Sequence, residues 1–233
     1  MAARTHTDAG PRWKRRKDER PDEILAAALQ LFSEHGYAAT RLEDVAARAG
    51  VSKGTLYLYF DTKAELFKAL VRSALIPNIE RAEAVVEGYR GPTRELLGEL
   101  LTGFGRILLG SPLSGIPKLV ISEAGNFPEI AEFYYQEVIL RSSALLRRLL
   151  ERGAERGEFR PIDADAAWRV VVAPLVLGVL WKHSFQRYED APTDFERYAR
   201  AHLDLLLNGL LQPPGPAAAP VDGRAPRPRK GRK

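Results

Sequence analysis

The chain has 233 residues, 45% of them hydrophobic and 28% charged, with no cysteine and a formal net charge of +5. That composition suits one large or two small soluble domains, and the lack of thiols excludes a disulfide framework, a thiolate metal site and a cysteine nucleophile, which fits a reducing cytoplasm. The charge is uneven: residues 1–20 hold seven Lys/Arg against three Asp/Glu, residues 212–233 hold six against one, and the body between is mildly acidic. Basic ends on such a body point to a polyanion, nucleic acid before membrane, with a pair of merely solvated tails as the plainer alternative.

In chain order, the first twenty residues lack the apolar stretch of a secretory signal, so a cytoplasmic location is expected. The helical pattern starts at Pro21, with Asp22 and Glu23 in the first turn and Ile24, Ala28, Leu31 and Phe32 on one face, and Gly36 closes it. Thr40 and Glu43 read as a capping box for a second helix over Leu42, Val45, Ala46 and Ala49, ended by Gly50. Ser52 caps a third, short helix. Thr62 with Glu65 caps a fourth, carrying Leu66, Phe67 and Leu70.

Beyond Pro77 the reading is helical to about Leu211, cut by "GYRGPT", "GSPLSGIP", "GNFP", "GEFRPID" and "DAPTD". The longest segments are Pro128–Arg156 and Asp163–Arg187. The second is apolar nearly all round in its middle and must be buried on more than one side. Its apolar run, Val170–Trp181, is too short to span a bilayer and contains Pro174 and Gly178, so no membrane segment is expected. After Gln212 there are six prolines and no hydrophobic period, which predicts disorder.

The stretch "GVSKGTLYLYF", Gly50–Phe60, gathers poor helix formers in a helix-rich chain. Two helices joined by a turn at Gly50, the second short and polar outside, make a helix-turn-helix pattern whose second helix enters the DNA major groove. Val51, Leu56 and Phe60 pack inward on that reading, leaving Lys53, Gly54, Thr55, Tyr57 and Leu58 toward the groove. Gly54 lets the backbone come close.

The run "TRLEDVAARAGVSKGTLYLYFDTKAELF", Thr40–Phe67, resembles the DNA-binding signature of the TetR family of transcriptional regulators, and the likeness extends upstream through "ILAAALQLFSEHGYAAT". "KLVISEAGNFPEIAEFYY" resembles the AefR-like type of C-terminal domain. The resemblance implies an all-α fold: a three-helix DNA-binding head, then a helical ligand-binding and dimerisation bundle whose last two long helices pair across a two-fold axis. Position by position, it implies that Arg41, Lys53, Gly54, Thr55 and Tyr57 lie near bases and Thr40, Tyr59 and Lys63 near phosphates. Arg41 as a guanine reader or as a surface or phosphate-clamping residue, and Tyr57 and Tyr59 as DNA-facing or structural, remain alternatives on the sequence alone. Residues 21–67 contain four Lys/Arg against seven Asp/Glu, so "RWKRRK", Arg12–Lys17, is expected to supply much of the phosphate attraction.

The expected division is a disordered basic arm over 1–20, the head over 21–67, a regulatory and dimerisation domain over 68–211 and a disordered basic tail over 212–233. A homodimer is expected from the paired long segments Pro128–Arg156 and Asp163–Arg187. For a small apolar effector, the candidate contacts are Phe104, Glu123, Phe133, Tyr134, Trp168 and Trp181, with His183 as a further polar candidate. Aromatics at helical spacing more often fill a core, and Glu123 and His183 read as well as a helix-end acid and a solvent-side histidine. Gly103 and Gly105 lack the strand and spacing of a nucleotide loop and are expected to permit close helix packing. Four histidines with no His-Glu-x-x-His, nucleophile elbow or phosphate loop give an enzyme little support, so no catalytic residue, metal or cofactor is expected. The partners expected are an operator duplex, a second copy and the effector, with no membrane; the rival is a ligand-independent or nucleoid-type DNA-binding protein.

Overall fold

The computed structural model describes residues 12–208, and within them the chain is helical with no strand. The helices are α1 (Arg12–Ala39), α2 (Leu42–Arg48), α3 (Lys53–Tyr57), α4 (Lys63–Ala74), α5 (Ile76–Gly88), α6 (Thr93–Gly110), α7 (Gly115–Glu123), α8 (Pro128–Tyr134), α9 (Arg141–Glu155), α10 (Ala164–Ser184) and α11 (Phe195–Asn208). A π-helical segment, Tyr135–Leu140, joins α8 to α9 without a break.

Helix α1 begins at Arg12, ahead of the expected start, and carries Pro21 inside it. The charged residues before Pro21 are mostly strong helix formers, and a long helix absorbs the one backbone hydrogen bond that proline removes. The arm expected to be disordered over 1–20 is therefore helical from Arg12, while residues 1–11 and the tail expected over 212–233 lie outside the described residues. Gly36, at φ 81°, breaks α1 where glycine was expected to end it.

The N-terminus of α2 departs from the expected capping box. Arg41 is its N-cap, with no side-chain cap bond, and the Thr40 hydroxyl turns back to donate to Gly36 O at 2.7 Å. At the other end Gly50, at φ 67°, sits in a Schellman turn, with Val51 N donating to Ala46 O and Gly50 N to Ala47 O. Ser52 and Thr62 cap α3 and α4 as the sequence predicts, accepting from Thr55 N and Glu65 N at 3.1 Å each.

The buried side chains form two clusters. One joins the head to its neighbours, running from Ile24, Phe32 and Leu56 through Phe67 and Leu75 to Ile130, Tyr134 and Val138. The other fills the bundle of α6, α9 and α10, with Leu97, Leu101, Leu149 and Leu175 among its members. Helix α10 is long and apolar enough to cross a membrane by length and composition, because it continues past Val170–Trp181 at both ends. It packs against α6, α7, α9 and α11, yet only 33% of its most apolar window is buried.

Candidate nucleic-acid interface and effector cavity

The head presents its short third helix outward. Leu56 is fully buried beneath it and Phe60 nearly so, whereas Lys53 and Gly54 are exposed, Tyr57 is 37% exposed and Leu58 is 83% exposed. Lys53 pairs with Glu43 of α2 at 2.5 Å and lies 5.7 Å from the centre of the Tyr57 ring. That contact raises the lysine's pKa and lowers the carboxylate's, chiefly through the hydrogen bond between them. Arg41 is exposed at the start of α2, and Thr55 is half-buried with its hydroxyl 2.8 Å from that of Ser52. Tyr59 is half-buried against Phe60, with ring centres 6.4 Å apart.

Two of the residues matched to phosphate contacts face inward. Thr40 is 2% exposed, and its hydroxyl serves α1 as described. The Lys63 ammonium donates to Tyr37 O at 2.6 Å and to Ala38 O and Thr40 O at 3.0 Å each. It also lies 4.6 Å from the centre of the Tyr37 ring and 5.9 Å from that of Phe127. All three of its N–H donors are used in tying off the end of α1, so a phosphate contact requires that clamp to open. Burial lowers its pKa, opposed by the Glu123 carboxylate.

A cavity of about 300 Å³ lies where the two clusters meet. Leu75, Ile79, Tyr134 and Val138 come from the head-side cluster, and Leu97, Leu101, Leu108 and Leu149 face them from the bundle. Phe104 lines it too. Of the six expected contacts, the structure brings Phe104 and Tyr134 to this wall and sends the others elsewhere. Glu123 borders a separate polar crevice between α1 and α7, together with His35, Lys118 and His183. Phe133 packs under the cations of α4, with Arg72 at 4.8 Å from its ring centre. The guanidinium of Arg169 covers Trp168 at 4.6 Å, and Trp181 is on the surface of α10, donating from Nε1 to Glu189 Oε1 at 2.8 Å.

The sequence model for bacterial regulatory proteins of the tetR family matches residues 24–70, and one for a tetracyclin repressor-like C-terminal domain matches residues 89–195. An uncharacterized HTH-type transcriptional regulator of Mycobacterium bovis, Mb1581, is 30% identical over 174 residues, covering 73% of this chain and 78% of its own. The chain belongs to the TetR family. The HTH-type transcriptional repressor KstR2 of Mycolicibacterium smegmatis is 24% identical over 198 residues, 84% of this chain and 93% of KstR2. The transcriptional regulator FadR of Bacillus subtilis, solved in complex with stearoyl-CoA, shares the fold with a TM-score of 0.64 at 22% identity, covering 82% of this chain and 99% of FadR.

This TetR-family chain is thus a DNA-binding transcriptional regulator, not an enzyme. Sequence reasoning faced Leu58 to the groove without counting it a contact, although its exposure exceeds that of every other large hydrophobic residue described. The aliphatic cavity residues carried no signal, since leucine at helical spacing reads as core. Gly103, expected to permit close packing, has no atom within 4 Å of where a Cβ would stand and borders the cavity; Gly105 does meet neighbours, with Ala199 at 3.6 Å. On α10 and just beyond it, Val170, Leu177, Trp181 and Phe185 are 68%, 55%, 40% and 54% exposed.

Proposed function

We propose that the protein is a repressor that binds a palindromic operator as a homodimer and leaves it when a small, largely apolar molecule fills the cavity. The carrying observation is the cavity's place between the head-side cluster and the bundle. A ligand there acts on the wall that holds Leu75, the residue joining α4 to α5, and α4 runs straight into the head. Occupancy that favours one spacing of the two heads shifts the dimer toward it, and the effector weakens operator binding only through that difference.

The uncovered apolar face of α10, with Leu205 of α11 49% exposed, supports pairing through these two helices. That differs from the pairing of Pro128–Arg156 with Asp163–Arg187, because Arg148, Glu151 and Glu155 give the outer side of α9 a charged character. On the DNA side, Arg41, Lys53, Gly54, Thr55, Tyr57 and Leu58 read bases, and Tyr59 and the basic start of α1 meet phosphates. The relatives named repressors support the direction of control. The stearoyl-CoA held by FadR supports an aliphatic effector, in keeping with the leucines that line the present cavity.

The test is reciprocity. Apolar compounds that raise the melting temperature are titrated with and without operator DNA, and linkage requires operator to weaken the compound by the factor by which the compound weakens operator. Compounds whose affinity ignores operator refute the switch.

A further inference from the structure

We propose that the effector carries a carbonyl oxygen on an apolar body, and that the Tyr134 hydroxyl is the group that selects it. The inference rests on the cavity being the effector site. Tyr134 is 8% exposed, closes the head-side wall and belongs to the cluster continuous with the head. Among the described residues its hydroxyl has no hydrogen-bond partner. The enclosed side-chain atoms without partners are nitrogens of Arg152 and Trp168. The Tyr134 oxygen is not one of them, so it is not fully enclosed, and Tyr134 lines the cavity.

Other polar groups also line the cavity. The Asn78 amide donates to Ala74 O at 2.9 Å and accepts from Arg81 at 3.2 Å, and Arg81 and Glu99 are exposed at the rim. Half-buried Ser142 is the other hydroxyl. Burial raises the pKa of the Tyr134 phenol, which keeps it protonated and a donor. Of the two neutral hydroxyls in this hydrocarbon wall, that of Tyr134 belongs to the more buried residue, and a neutral donor there matches a neutral acceptor. A carboxylate or an ammonium would be stripped of water against leucines with too few partners. Immediately after Tyr134 the chain enters the π-helical segment, where Val138 also lines the cavity. Such segments are frequent at functional sites.

The oxygen thus docks on the head-side wall while the body rests on the leucines of α6 and α9. A ligand without the oxygen leaves the phenol unpaired and binds more weakly for that reason.

The experiment uses the full chain, the ketone para-methylacetophenone and its isostere para-cymene, which has a methine and methyl in place of the carbonyl. Affinities are measured by competition against a fluorescent apolar probe for the native protein and for Tyr134→Phe. That substitution removes an oxygen with no protein partner, so an unchanged or raised melting temperature certifies the variant. The ketone is expected to lose about three- to tenfold in affinity in the variant, while the hydrocarbon binds both proteins alike. Equal ketone affinity in both proteins, with both compounds bound, overturns selection by Tyr134 and leaves the cavity reading standing; so does a loss seen in Ser142→Ala instead. Failure of both compounds to bind either protein overturns the two together. Octanoyl-CoA in parallel separates the sources of the carbonyl: tighter binding than the ketone, lost in the same variant, assigns it to an acyl thioester, and weaker binding to a free ketone or ester.

Discussion

In the head, the rings of Phe32, Tyr37 and Phe67 meet at 5.5 to 6.0 Å, and Tyr37 closes on Phe127 from the α7–α8 turn at 4.7 Å. Across the seam, the leucines of α6 and α9 surround an opening of about 300 Å³. The first arrangement fixes each side chain by its neighbours and holds the reading helix to the body. The second leaves apolar surface open. A regulator needs both: a rigid reader, and a sensor with contacts still to be made.

The largest test of this contrast is a matched pair of truncations. Leu66 in the head and Leu149 at the cavity wall are 0% and 1% exposed. Leu66→Ala is expected to cost about 3–5 kcal/mol and Leu149→Ala roughly 2–3, because the second side chain already lacks contacts on its cavity side. Urea unfolding midpoints at equal m-value decide it, and equal costs would mean that the cavity wall is as tightly packed as the head.

On the reading surface, Tyr57→Ala or Lys53→Ala is expected to reduce preference for operator over random duplex by about 1–3 kcal/mol, whereas deleting residues 1–17 weakens all duplexes alike and flattens the salt dependence. Competition binding at several salt concentrations separates the two effects. Unchanged preference in both point variants places base reading elsewhere on the head.

Filling the opening sharpens the comparison from the other side. Gly103→Leu puts a side chain where no atom stands within 4 Å and removes a helix-interior glycine, so stability should rise by about 1 kcal/mol while the effector response is lost. A destabilised variant would show that the space is not available.

The smallest effect belongs to the polar crevice between head and body. His183 Nε2 lies 2.9 Å from Ser114 Oγ, and burial, then Lys182 and Lys118, lower its pKa below the ordinary 6.5. Because Ser114 Oγ also lies 2.9 Å from Ser111 O, to which it donates, the imidazole acts as donor from Nε2. The folded state favours the neutral ring, so the unfolded chain binds more protons just below pH 6.5. Stability from this residue is whole above that value and is lost as pH falls toward the folded pKa. Melting curves between pH 7.5 and pH 5 should fall less steeply for His183→Gln than for the native protein.

The helices were legible where glycines and hydroxyl caps punctuate them, as at Gly36, Gly50, Ser52 and Thr62. The start of α1 was not, because proline ordinarily opens a helix and here lies within one. The register of α2 slipped by one residue at Thr40, whose hydroxyl found carbonyls of α1 that sequence distance conceals. The short helix α3 was readable from local pattern. The cavity was not, because it is made by six helices meeting, and nothing local tells whether Phe104 faces a void while Trp168 meets Arg169.

The central claim, that filling the cavity re-spaces the heads, has a direct readout. The chain has no cysteine, so Ala47→Cys on the exposed side of α2 carries a single spin label in each protomer. Electron–electron distance measurements on the dimer then report head separation with operator, alone, and with saturating para-methylacetophenone. The account predicts a separation with the compound that differs from the operator-bound one, whose heads sit about 34–36 Å apart along the duplex. A distribution that is the same with and without a compound shown to occupy the cavity would contradict it.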